Sequence, residues 1–279
     1  MSDPVVDEAP HAGLHAVARG QRRWSNLSLA HRDGGVGIVR IDAPGKRNAM
    51  GRQFWPELRS VLDELESDGK TRVVVVTGAG DEAFSAGGDI ASFAELTDLA
   101  AKRAFQRDCM RTFAAVEESP LPILAAVNGW ALGGGCELAM ACDVVFASER
   151  AVFGMPEAAV GLVPGFGVLR GPSVVGRQWT KLMVFAAERV DAQTALRIGL
   201  VQKVVPHADL LPATLRVAQQ IAENAPLAVA TGKELVNRGV DRGEFDHSTD
   251  ALTVLQSTQD TAEGIRAFLD KRPPRFQGR

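Results

Sequence analysis

The 279-residue chain contains no tyrosine. That absence excludes the short-chain dehydrogenase reading that "VVVVTGAG" (73–80) invites, because such an enzyme needs a catalytic tyrosine. The glycine turn also lacks a complete G-x-G-x-x-G fingerprint. Cysteine is scarce: Cys109, Cys136 and Cys142 are an odd set with no C-x-x-C spacing. They read as reduced, buried thiols of a cytoplasmic protein and argue against a disulfide framework. An excess of one charge is missing too. Lys and Arg total 31 against 34 Asp and Glu, a net charge of −3 with no basic run, so nothing points to a nucleic-acid partner. No histidine, cysteine and carboxylate cluster has metal-ligand spacing, and no metal site is expected. No uninterrupted apolar run spans a membrane. The charge-free stretch 119–136 has the length, but Pro120, Pro122, Asn128 and four glycines break it. The first 25 residues lack the apolar core of a signal peptide and are expected to form a disordered tail.

What is present is the profile of a soluble globular protein, 46% hydrophobic and 23% charged. "VGIVRID" (36–42) alternates like a half-buried strand. A helix is expected over 50–65, where Phe54, Leu58, Val61, Leu62 and Leu65 recur at helical spacing. Fully buried strands are expected at 72–80 and 122–129, and shorter ones at 143–148 and 201–205. The recurring strand, glycine turn and helix argue for α/β layering. After Pro206 no β-rich run returns, and 208–279 reads as successive amphipathic helices. The expected organisation is therefore a tail over 1–25, a core over 26–205 and a helical region over 206–279. That last region looks too thin to stand alone and is expected to pack on the core or on neighbouring subunits.

Two serine and histidine features call for a decision. "AFSAG" (83–87) resembles a nucleophile elbow with alanine in place of the first glycine. The histidine base it would need has no recognisable setting: His207 follows a proline, His247 lies in a polar helix, and His11, His15 and His31 fall in or near the tail. Ser85 is therefore read as a small turn residue.

The informative stretch is "GWALGGGCELAMACD" (129–143), three glycines followed by a lone charge in an apolar run. Glycines cost a helix stability, and a buried carboxylate costs more unless it is satisfied or protonated. A helix beginning near Gly134 explains both. Its first N–H groups have no intrahelical partner, and glycine lets a substrate oxygen approach them. "FSAGGDI" (84–90) repeats the device, with Gly87 and Gly88 before a second helix. Two such turns make an oxyanion hole worth roughly 3–4 kcal/mol per donor. Glu137, one turn into its helix, and Glu157, after Pro156, would each suit a helix N-terminus on electrostatic grounds alone. Two of them, each behind a glycine-bearing turn in a charge-poor region, point to paired acid–base work.

Taken in order, "APGKRNAM" (43–50), "AFSAGGDI" (83–90), "NGWALGGGCELAMACD" (128–143), "FGMPEAAVGLVPGFG" (153–167), "ALRIGLVQKVV" (195–205) and "TAEGIRAFLDKRPPRFQG" (261–278) resemble the crotonase (enoyl-CoA hydratase/isomerase) superfamily over about 27–279. The resemblance implies a spiral of repeated ββα units with a C-terminal helical trimerisation region, in trimers or dimers of trimers. It implies the Gly88 and Gly134 amides as the oxyanion hole and Glu137 and Glu157 as the catalytic pair. Lys46, Asn48, Ala49 and Met50, and Ala86, Gly87, Asp89, Ile90 and Ala91, match the segments that hold CoA and the thioester; Pro156 and Gly165 fall in the motifs beside the acyl group. The substrate implied is an acyl-CoA thioester, with no separate cofactor, and the activity a hydratase. The alternatives are a double-bond isomerase, a dehydratase of a substituted acyl-CoA or a non-catalytic acyl-CoA binder. Two departures stand out. Met155 replaces the family's polar glutamine, and "PGFGVLR" (164–170) is one residue shorter than the usual "PGxGGTQR".

Overall fold

The computed structural model describes residues 19–237 and 242–275. In chain order, β1 (Arg19–Arg23), β2 (Leu27–Arg32) and β3 (Val36–Ile41) precede α1 (Phe54–Ser67). Next come β4 (Val73–Gly78), β5 (Ala83–Ser85), α2 (Ile90–Ala94) and α3 (Leu99–Glu118). β6 (Ile123–Val127), β7 (Trp130–Leu132), α4 (Gly134–Ala141), β8 (Val144–Ser148) and β9 (Val152–Gly154) follow. A 3₁₀ helix over Pro156–Val160 leads to α5 (Gly167–Val174), α6 (Arg177–Phe185), β10 (Arg189–Asp191), α7 (Ala192–Arg197) and β11 (Lys203–Val205). The chain closes with α8 (Leu210–Ala222), α9 (Pro226–Val236), α10 (Arg242–Gln256) and α11 (Gln259–Leu269).

A larger sheet runs β1-β2-β3-β4-β6-β8-β11 and a smaller one β10-β9-β7-β5. From β3 to β11 the larger sheet is parallel, as are β5, β7 and β9 of the smaller one. Each repeat lays one strand in each sheet before its helix, the ββα spiral. Side chains alternate across the larger sheet with period two. Val39, Ile41, Val74, Val76, Ile123 and Ala125 join the main core with α1, α3 and α4. Val36, Ile38, Val73, Val75, Leu124 and Ala126 face the other way. There they meet Leu210, Ala213, Leu215 and Ala218 of α8.

Two expectations are corrected and one is met. β3 is buried on both faces, not half-buried, because α8 covers the side that its pattern would leave to water. The helices after Pro206 pack on the core, one of the two arrangements expected: α8 completes it, α10 packs on α3, and α11 packs on the 3₁₀ helix. Residues 19–23 form a strand on the sheet edge, so the expected tail of 1–25 is too long; its first 18 residues lie outside the described ones. The apolar stretch 119–136 becomes β6, β7, the turns around them and the start of α4. Among the described residues, no helix is long and apolar enough to cross a membrane.

Candidate active site

Two strand-to-helix turns meet at the centre of the site. The bridge between Met50 and Gly88 sets the first. Met50 N–H donates to the Gly87 carbonyl at 2.8 Å, and Asp89 N–H donates to the Met50 carbonyl at 3.0 Å. This parallel pattern turns the amide of Gly88 itself away from Met50. Gly134 is the first residue of α4, where an N–H has no carbonyl four residues back. The turns touch. A side chain at Gly87, whose φ is +95°, would lie 2.6 Å from the Leu132 carbonyl oxygen and 3.4 Å from the Gly134 nitrogen. One at Gly134 would lie 2.8 Å from Met50 Cε. The Phe93 ring covers Gly88, so a side chain there would have to displace the ring.

Ser85 holds the first turn together. Its hydroxyl donates to the Asn48 carbonyl at 2.8 Å and accepts from Gly87 N–H at 3.1 Å, with the residue fully buried. A nucleophile needs access and a base, and Ser85 is buried within a turn. His207 lies against Ser148 and Asp81 instead. His11, His15 and the side chain of His247 lie outside the described residues.

Glu137 is one turn into α4 and 6% exposed. Its Oε1 accepts from the Phe166 and Gly167 amides, both at 2.8 Å, at the start of α5. Burial pushes its pKa up to about 7, while those two donors pull it back. Glu157 sits in the first turn of the 3₁₀ helix behind Pro156. Its Oε1 lies 2.8 Å from where a Gly133 side chain would begin, so the second glycine turn is moulded around this carboxyl. Its Oε2 is fully enclosed and has no hydrogen-bond partner. Burial, and secondarily the charge of Glu137, push its pKa well above the ordinary carboxylate range. Two carboxyls therefore share one enclosure with different preferences. Glu137 has donors that favour its charged form, and Glu157 has an orphaned oxygen that favours the proton. Burial also raises the Cys109, Cys136 and Cys142 thiols, which stay protonated and are poor nucleophiles.

Of the residues expected to contact substrate, Met50, Gly87, Gly88 and Gly134 converge at this centre. Pro156 opens the Glu157 turn, and Gly165 lies buried just before α5. Ala49 lies just before the Met50–Gly88 bridge and Ala86 just after β5, where its N–H donates to the Arg47 carbonyl at 2.9 Å. Asp89 caps α2 by accepting from Ala91 N–H at 3.2 Å, beside Ile90, and pairs with the outward-facing Lys46 at 3.0 Å. Asn48 requires a correction. Its side chain is turned inward, donating to the Ala79 and Ala83 carbonyls and accepting from Ala43 N–H. It braces the loop and has no donor left for a ligand.

The amides of Phe166 and Gly167 were not expected in the site; they reach Glu137 from 29 and 30 residues away. The departure at Met155 has a local counterpart. Its sulfur fills the space that a side chain at Gly167 would need.

A two-sheet ββα spiral that brings two free amides against two enclosed carboxyls defines a crotonase-superfamily site. The Enoyl-CoA hydratase/isomerase family profile matches residues 31–279. The chain belongs to the enoyl-CoA hydratase/isomerase family. It is 37% identical over 252 residues to a short-chain-enoyl-CoA hydratase of Clostridium acetobutylicum, covering 88% of this chain and 96% of the relative. It is 38% identical over 246 residues to a crotonyl-CoA hydratase of Syntrophomonas wolfei, covering 86% and 94%. The crystal structure of an enoyl-CoA hydratase from Bacillus anthracis superposes with a TM-score of 0.74 at 33% identity, covering 91% of this chain and all of that one.

Proposed function

We propose that this protein is an enoyl-CoA hydratase, which adds water reversibly across the 2,3 double bond of an enoyl-CoA thioester to give a 3-hydroxyacyl-CoA. The observation that carries the reading is the unequal carboxyl pair: Glu137 with two amide donors, Glu157 with an enclosed, unpartnered oxygen. The amides of Gly88 and Gly134 hold the thioester oxygen and stabilise the enolate-like charge that develops there. Glu137 takes a proton from water as its oxygen bonds to Cβ, and the π electrons move toward the thioester oxygen. Glu157 then delivers its proton to Cα. The net change is the addition of one water, and proton exchange between the carboxyls restores the starting state. No electrons are transferred, so the reaction calls for no redox cofactor, and CoA enters as part of the substrate.

Exposed apolar side chains on α9 and α11, among them Leu227, Val236, Phe268 and Leu269, support a homo-oligomer, a trimer or dimer of trimers. Three free cysteines support a reducing, cytoplasmic setting.

The test is loss of the conjugated enoyl absorbance with a panel of enoyl-CoA thioesters, the 3-hydroxyacyl product being confirmed by mass. Glu157→Gln is expected to lower kcat at least about 10²-fold with little change in substrate affinity. The Glu137→Gln/Glu157→Gln double variant should be scarcely worse than either single one. If 3-enoyl substrates are converted and only one glutamate is needed, the protein is an isomerase. If the wild type binds enoyl-CoA but hydrates none of the panel, it is a binder.

A further inference from the structure

Glu137 takes its orientation from α5, so what holds α5 governs the carboxyl. The eight-residue helix begins with the two amides that Glu137 accepts from. It docks on α3 through two contacts at matched spacing. Phe166 meets Phe113, ring centroids 4.8 Å apart. Four residues further along each segment, Arg170 meets Glu117. Their fork is bidentate: Arg170 Nε donates to Glu117 Oε1 at 2.6 Å, and Arg170 Nη2 donates to Glu117 Oε2. Both side chains are largely buried, 10% and 14% exposed. The Arg170 guanidinium also lies 5.7 Å from the Phe166 ring, and the Arg170 backbone N–H donates to the Phe166 carbonyl at 3.0 Å, one of the first bonds of the helix.

We propose that Arg170 is a positioning residue for the reaction: its fork to Glu117 fixes the first turn of α5 so that the Phe166 and Gly167 amides aim at Glu137. The proposal rests on the reading of Glu137 as the base. A planar fork fixes direction as well as distance, which a lysine ammonium cannot do. The pair is costly to bury, and an apolar contact of similar volume would stabilise the fold at least as well. What the ionic contact adds beyond the Phe113–Phe166 contact is a defined rotation of α5 about its axis, on which the aim of two successive amides depends. Among the described residues, Lys233 of α9 and Asp143 act on Glu117, while Glu157 and the protonated Cys136 and Cys109 thiols lie near Glu137.

The test compares wild type, Arg170→Lys, and the neutral pair Glu117→Gln/Arg170→Gln, with folding followed by circular dichroism. Hydration of crotonyl-CoA gives kcat and KM. ¹³C NMR of the glutamate carboxyls, assigned with Glu137→Gln, gives the titration of Glu137 without depending on turnover. In Arg170→Lys, kcat should fall about 10- to 100-fold with KM nearly unchanged. The Glu137 titration should move upward by at least about half a unit, because a misaimed amide no longer favours the charged form. The neutral pair should show the same two changes while keeping the fold. Loss of thermal stability with kcat and the Glu137 titration both unchanged in a folded variant would overturn the proposal. If Arg170→Lys does not fold, the neutral pair decides alone. If the wild type itself hydrates nothing, the functional reading fails, and the NMR titration still decides whether Arg170 orients Glu137.

Discussion

Replacing Glu137 by glutamine should make the protein more stable and nearly inactive. Glutamine keeps the shape and an oxygen that can accept from the Phe166 and Gly167 amides. It removes the ionisation. In the folded chain burial holds the carboxyl near pKa 7, against 4.5 for the free group. The folded state therefore binds more protons than the unfolded chain between those values, and stability falls as pH rises through that window. The difference amounts to about 3 kcal/mol of destabilisation at pH 8, at roughly 1.4 kcal/mol per pKa unit. Glu137→Gln should recover most of it, raising Tm at pH 8 by about 5–10 °C and little at pH 5. At the same time kcat should fall at least about 10²-fold, because water loses its proton acceptor. In the wild type, kcat/KM should rise as pH increases through about 7, when Glu137 ionises, and fall at higher pH as Glu157 loses its proton. Scanning calorimetry at pH 5 and pH 8 and the enoyl absorbance assay read both effects. A variant that keeps activity within threefold, or whose Tm at pH 8 drops, would refute the argument that this carboxylate is buried, charged and in use.

Three other outcomes are expected. Ser85→Ala should keep activity within about tenfold, since the hydroxyl only ties the turn, and the wild type should resist labelling by a fluorophosphonate; covalent labelling at Ser85 would revive the hydrolase reading. Gly134→Pro should abolish turnover by removing the donor amide, with circular dichroism as the control, and a folded, fully active variant would contradict the assignment. Light scattering at micromolar concentration should show a trimer or hexamer, and a stable monomer would mean that the exposed faces of α9 and α11 have another use.

The features readable from sequence were local ones. Glycine triplets before an apolar helix, and a proline before Glu157, carry their geometry within a few residues, so α4 and the 3₁₀ turn fall where turn chemistry places them. The buried strands β4 and β6 show as unbroken apolar runs. β5, β7 and β9 do not, because three residues cannot display a period. Long-range decisions were hidden. Whether the outer face of β3 is wet depends on α8, far along the chain. Asn48 lies in a ligand-like motif, yet both ends of its amide are taken by backbone groups, the oxygen by Ala43 of its own loop and the nitrogen by Ala79 and Ala83. The donors to Glu137 are backbone groups, which leave no trace in residue identity. Gly167 was the available sign, since only glycine fits beneath the Met155 sulfur.

The contact of α11 with the Glu157 turn has a consequence for when the enzyme comes into being. Thr261 donates to the Gly161 carbonyl at 2.8 Å across a hundred residues, and Gly264 lies so close to the Val160 backbone that a side chain there would sit 2.6 Å from it. The turn that carries Glu157 thus receives its backing from a helix a hundred residues further along the chain. A nascent chain can build its sheets and both glycine turns before that helix emerges, but the Glu157 turn then lacks its support. On the proposed mechanism, folding and activation are joined at this contact: the Glu157 turn is set in place only once α11 has docked.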